Sequence, residues 1–189
     1  MPMCIDKRIL AGLLTAFLCA PSVAQQRHDE HLPQARALTK QLATSLQQTL
    51  ATTLKADGPV AAIKVCNTAA PEISRALSRQ GWQVGRVSQR LRNTDNAPDE
   101  WERATLLRFE QQLAAGQDAT TLEHGEQVDG RFRYMKAIAT QAVCLTCHGT
   151  VLSTAVQQAI AQRYPLDRAT GYDIGQLRGA FSLSKVMEE

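Results

Sequence analysis

The sequence predicts a single α+β domain behind an N-terminal leader, in a chain of 189 residues. Three observations carry this. Leu38, Leu42, Leu46, Leu50 and Leu54 recur every fourth residue, the period of an amphipathic helix. Val128-Asp129-Gly130-Arg131 is a two-residue hairpin signal, and the residues after it alternate in polarity. A second alternating run, with Leu177, Phe181 and Leu183, lies near the C-terminus. Helices first and antiparallel strands later describe an α+β fold.

The elements follow in order. Lys7 and Arg8 precede an apolar run over residues 9–20, and Ser22-Val23-Ala24 supplies small residues at both cleavage-defining positions. Residues 1–24 therefore read as a secretory signal peptide cut after Ala24. The run is shorter than the roughly 20 residues a membrane span needs. Cys19 follows the bulky Leu18, where a lipoprotein signal wants a small residue. Residues 25–34 read as a flexible polar arm, with His28 and His31 as solvated terminal residues. The folded domain is expected over residues 35–189.

The leucine stripe places one long helix from Ala35 to about Lys55, stopped by Asp57-Gly58-Pro59. Packing on its own domain is the default use of that stripe, and a homodimer through this N-terminal helix is the alternative. Residues 60–80 read as helical with a break near Pro71, and Gly81 ends them. Trp82, Val84 and Arg86 share one side of a short strand. Pro98 suits a first helical turn, Asp99 and Glu100 suit its positive end, and Trp101, Ala104, Leu107 and Phe109 supply apolar area. Gly116 ends that helix. Phe132, Tyr134 and Ile138 then make one apolar strand face. Leu152, Val156, Ala159 and Ile160 mark a further helix, with Ser153 as its cap and Pro165 beyond its end.

Between the last two of these elements lies Cys144-Leu145-Thr146-Cys147-His148. C-x-x-C-H is the attachment signal of a c-type haem. Two thiols one backbone turn apart meet the two vinyl groups, and the adjacent histidine lies under the iron. Two other readings compete. Cys66, Cys144, Cys147 and His148 supply the donors of a Cys₃His zinc site. A thioredoxin-like dithiol would follow the first strand of a βαβ unit, and no such unit surrounds this motif.

The leader bears on that choice, because c-type haem is attached outside the bacterial cytoplasm and the mature chain is expected in the periplasm. Of five cysteines, Cys4 and Cys19 leave with the leader. If Cys144 and Cys147 hold the haem, Cys66 is an odd thiol in an oxidising compartment. It is then either an inert core cysteine or the sixth iron ligand. Met135, Met187 and His124 are the other distal candidates. Arg86, Arg90 and Arg92 form either a solvated basic face or partners for haem propionates. A net charge of +3 and 5% aromatic residues give no footprint for a nucleic-acid partner.

Several segments in order carry a resemblance. They are Ala62-Ile63-Lys64-Val65-Cys66-Asn67, Ala70-Pro71-Glu72-Ile73, Gly81-Trp82-Gln83-Val84-Gly85-Arg86, Leu91-Arg92-Asn93 and Asn96-Ala97-Pro98-Asp99. Trp101-Glu102, Arg133-Tyr134-Met135-Lys136-Ala137-Ile138, the motif through Gly149, Tyr164-Pro165 and Arg178-Gly179-Ala180-Phe181-Ser182 continue it. With these segments the chain resembles a c-type haem-binding family, known as a domain of unknown function, whose fold is PAS-like. The resemblance covers nearly the whole mature chain. It implies one covalent haem c on Cys144 and Cys147, with His148 proximal and Cys66 distal to the iron.

Two strong ligands leave no open iron position for a substrate, so the expectation is not an enzyme. A redox or diatomic-gas sensor signalling to a separate partner protein is the first reading. A periplasmic electron-transfer cytochrome and a zinc-stabilised binding protein are the alternatives.

Overall fold

The computed structural model describes residues 23–187, and the side chains among them from residue 30 onward. The expected leader through residue 22, with Cys4 and Cys19, and the His28 side chain lie outside the described residues.

Helix α1 (Val23–Leu77) turns at Gly58, whose φ of 77° and ψ of −176° suit only glycine. Gly58 and Pro59 divide it into two arms at the expected stop. Two expectations about α1 need correction. Residues 25–34 are helical and not a loose arm, because His31 and Ala35 are buried and the His31 ring meets Trp82 and Phe132 edge-on. The second arm also runs through Pro71 without a break. Proline has no N–H to give the preceding turn. Buried Ala62, Ile63 and Ala70, with Ile73 and Leu77 packed on the sheet, hold the helix across that gap.

Gln80 and Gly81 both take positive φ and turn the chain into β1 (Trp82–Val87). Strands β2 (Glu123–Val128), β3 (Arg131–Ala139) and β4 (Leu177–Val186) complete an antiparallel sheet in the order β1-β4-β3-β2. The hairpin stands where the sequence places it. Asp129 and Gly130 join β2 to β3 with φ of 51° and 70°, both in the left-handed region a tight hairpin requires. In register, Leu183 faces Val84 on one side and Tyr134 on the other.

Both faces of the sheet are covered, where the sequence reading gave β3 a single apolar face. Trp82, Val84, Phe132, Tyr134 and Leu183 pack under α1 with Leu42, Leu38 and Leu46. Met135, Ala137, Ala180 and Val87 point the other way, onto Leu106 and Phe109 of α2 (Glu100–Ala114). Successive strand residues alternate faces, so a strand buried on both sides reads as a mixed pattern. Asp99, and not Pro98, starts α2: it accepts the Glu102 N–H at 2.9 Å, and Glu102 accepts the Asp99 N–H at 2.8 Å. The inward face of α2 is Thr105, Leu106 and Phe109, while Leu107 is 48% exposed.

After β3 come the single turn α3 (Leu145–His148) and α4 (Thr154–Arg163). Ser153 caps α4 as expected, accepting the Val156 N–H at 3.3 Å. Val156, Ala159 and Ile160 of α4 pack on Ile63 of the second arm of α1. The leucine stripe is therefore spent inside the domain: Leu38, Leu42 and Leu46 on the sheet, Leu50 and Leu54 along a cavity. The architecture is the expected α+β one, an antiparallel sheet with flanking helices and a long N-terminal helix.

Candidate functional site

The two arms of α1, strand β1 and the motif turn α3 enclose a cavity of about 940 Å³. The corner at Gly58 makes it, by folding the second arm back across the sheet edge. Leu46, Leu50, Ile63, Ile73, Ile138 and Phe181 give it apolar walls. Cys66, Arg86, Arg92, Cys144, Cys147, His148 and Arg178 bring the chemistry to it. A cavity of this volume is in the size range of small-molecule and cofactor sites.

The motif sits at one wall. Gln141 precedes a short 3-10 turn that carries Cys144, and the Cys144 N–H donates to the Gln141 carbonyl at 2.9 Å. The turn passes directly into α3, so Cys144, Cys147 and His148 share one compact backbone unit. Gly149 ends it, and a Cβ there would lie 2.7 Å from the Leu145 carbonyl oxygen. A loop before β4 clamps the unit from outside. The Tyr172 N–H donates to the His148 carbonyl and the Gly171 N–H to the Gly149 carbonyl, each at 2.9 Å.

His148 has one ring nitrogen engaged and one available. Its Nδ1–H donates to the Ala169 carbonyl at 2.6 Å, which leaves Nε2 as the nitrogen with a free lone pair. Burial, then the cations Arg178 and Arg92, drive its pKa down to about 2, so the imidazole is neutral. Tyr172 meets the ring edge-on with centroids 6.2 Å apart.

Cys66 reaches the cavity from the second arm of α1. It is exposed, and the space it is exposed to is the cavity, since it is one of the lining residues. The surrounding walls push its thiol pKa up, against the pull of Arg86 and Arg92. It is therefore not an inert core cysteine. Burial also raises the Cys147 pKa, which Arg92 opposes and the neighbouring Cys66 reinforces.

The three candidate arginines do different things. Arg86 lines the cavity, and burial lowers its pKa. Arg92 is a brace: its Nε pairs with Asp167 Oδ1 at 2.9 Å, and its Nη2 donates to the Cys147 carbonyl at 2.6 Å. Arg90 is outside the cavity wall. It lies over the Tyr172 ring at 4.0 Å and donates to the Gly171 carbonyl at 3.4 Å, because the turn after β1 aims it at the clamping loop.

Arg178 takes the inward place that was expected of Arg90, and sequence reasoning missed it. It donates to Ser88 Oγ at 3.0 Å, and burial lowers its pKa. Among the described residues no carboxylate pairs with Arg86 or Arg178. The signal for Arg178 lay in the sequence, as the lone charge beside Gly179 at the start of β4. Tyr164, Asp167, Ala169 and Tyr172 gave no such signal.

The other distal candidates lie elsewhere. Met135 is fully buried in the α2-side core. Met187 packs against the α1-side core. His124 bonds Glu126 at 3.0 Å and stacks on Trp101. Among the described residues no group of three or more His, Cys, Asp or Glu side chains is placed to hold a metal ion.

A family model described as Tll0287-like matches residues 24–185. Among solved structures, the crystal structure of the cyanobacterial heme-protein Tll0287 is similar with a TM-score of 0.67 at 23% identity. The match covers 85% of this chain and 97% of that one, and it fits the PAS-like fold expected from the sequence. No curated protein matches this chain.

Proposed function

We propose a haem-binding function for this chain, which belongs to the Tll0287-like family. In this reading Cys144 and Cys147 hold one haem c by thioethers, His148 is the proximal ligand of its iron and Cys66 the distal one. The observation that carries it is that one cavity is lined by Cys144, Cys147, His148 and Cys66 together with Arg86 and Arg178, two arginines with no carboxylate partner among the described residues. The solved structure of similar fold is itself described as a heme-protein.

The residues present fit such a group. The apolar walls suit a flat macrocycle. The Nδ1 bond to Ala169 fixes the His148 tautomer that offers Nε2. Arg86 and Arg178 supply buried positive charge of the kind that carboxylates need. An iron in a macrocycle takes one donor on each face, so its ligands need not converge as zinc ligands do. A bound haem would supply a one-electron couple whose potential the axial ligands set.

The chain's own residues point to sensing. A Cys66 thiolate donates electron density and favours the ferric state. If Cys66 let go when a bound haem took up an electron, its side of the cavity would be open to a diatomic gas. Cys66 sits on the second arm of α1, beyond the Gly58 corner, and that arm packs on α4 through Ile63, so a change at Cys66 would be felt there. We place this chemistry in the periplasm on the strength of the leader, with a separate partner protein receiving the signal. A second reading, electron transfer, has one observation in its favour: Val151, beside the motif, is 89% exposed. Apolar side chains around a redox centre suit the small, transient contacts of electron carriers.

The deciding experiment is a pyridine haemochrome assay on the full chain, made with the cytochrome c maturation machinery. A c-type spectrum at one haem per chain is expected. Colourless protein containing stoichiometric zinc would replace this reading with the Cys₃His one.

A further inference from the structure

We propose that Arg92 and Asp167 are a positioning pair that sets the strength of the His148 hydrogen bond, and through it the donor strength of the imidazole. This inference rests on the haem reading above and deepens it.

The Ala169 carbonyl is the shared point. It accepts the His148 Nδ1–H at 2.6 Å and also Arg92 Nη2 at 3.3 Å. The same Arg92 nitrogen donates to the Cys147 carbonyl at 2.6 Å. Asp167 grips the guanidinium twice, at 2.9 Å through Oδ1 and 3.3 Å through Oδ2. Asp167 Oδ1 further accepts the Ala169 N–H at 3.1 Å, so one carboxylate fixes both the cation and the peptide that carries the shared carbonyl. The Arg92 and Asp167 side chains are only 11% and 8% exposed, so water does little to screen them.

The physics gives each residue a sign. A carbonyl that shares its lone pairs with a cation is a poorer acceptor for the His148 N–H. A stronger Nδ1 bond makes the imidazole a richer donor, which stabilises the oxidised metal. Arg92 therefore weakens the His148 bond. Asp167, by drawing the guanidinium towards itself, restores it.

The test uses haem-loaded full-length protein and two variants. Arg92→Lys keeps the charge and loses the planar fork. The shared carbonyl is then left to His148, and the expected result is a lower midpoint potential with a changed ferric electron paramagnetic resonance spectrum. Asp167→Asn releases Arg92 onto the Ala169 and Cys147 carbonyls, and a higher potential with a changed spectrum is expected. If Arg92→Lys does not load haem, Asp167→Asn decides.

Lower melting temperatures with wild-type potentials and spectra would mean a purely structural brace and overturn the proposal. A shift in Asp167→Asn without a spectral change would mean charge alone and also overturn it. Wild-type protein without haem in the same preparations would overturn the haem reading itself.

Discussion

Cys66, on the second arm of α1, and His148, on the turn α3, open onto one cavity from opposite parts of the chain. Their approach depends on the corner at Gly58 and on the packing of α4 against Ile63. Cys66→Ala is therefore expected to leave the haem covalently attached, since Cys144 and Cys147 are untouched. It should convert the iron to a five-coordinate or water-bound form. Absorption spectra of the oxidised variant check this, and a spectrum identical to wild type removes Cys66 from the ligand set.

Arg86 and Arg178 line the cavity, and Arg90 does not. A buried cation near the iron opposes the ferric charge. Arg86→Met and Arg178→Met are each expected to lower the midpoint potential of the haem-loaded protein, while Arg90→Met moves it less. Equal shifts in all three variants would show that position relative to the cavity is irrelevant.

Far from the cavity, Glu123 joins three elements. It accepts the Tyr134 hydroxyl at 2.7 Å and Arg36 Nε at 2.9 Å, tying β2 to β3 and α1. Burial alone would raise its carboxyl pKa, but the bonds from Arg36 and Tyr134 outweigh it and the net pKa lies below the ordinary value. A depressed folded pKa adds stability above the unfolded value, and that stability is lost as pH falls through the folded one. Arg36 is more than half exposed, so solvent screens the pair and the contribution is about 1 kcal/mol. Urea unfolding should show Glu123→Gln less stable than wild type by about that amount at pH 7. The gap should close in acid below the ordinary glutamate range, and a gap constant with pH would exclude the charge as its source.

Gly179 lets β4 pass close to β1 beside the cavity. Its φ is 152°, and a Cβ there would lie 2.3 Å from the Val87 carbonyl oxygen and 3.1 Å from Ser88 Cβ. Gly179→Ala must push the two strands apart, and overpacking of this kind costs about 1–3 kcal/mol. A lower thermal midpoint is expected. Wild-type stability would show that the strand end relaxes freely.

Much of the fold was legible in the sequence because its signals are local. The leucine period, the Asp129-Gly130 hairpin and the Ser153 cap each act within a few residues. The faces of β3 and the inward face of α2 were misread, since burial on both sides of a sheet is set by elements distant in sequence. The extension of α1 through residues 25–34 was missed for the same reason: the partners of His31 are Trp82 and Phe132.

The sequence by itself determined the chemistry of the motif. Cys144, Cys147 and His148 lie within one turn, and their spacing is their geometry. It also singled out Cys66, by cysteine usage and by resemblance. Only the tertiary structure decided which cations serve that motif and how. Arg178 lines the cavity and Arg90 does not, and Arg92 is a brace, because a side chain's direction depends on the strand end or turn that carries it. The acceptor that links Arg92 to His148 is a backbone carbonyl, at Ala169. Every residue type carries that group, so no side-chain pattern announces it, and folding alone selects which one a histidine meets.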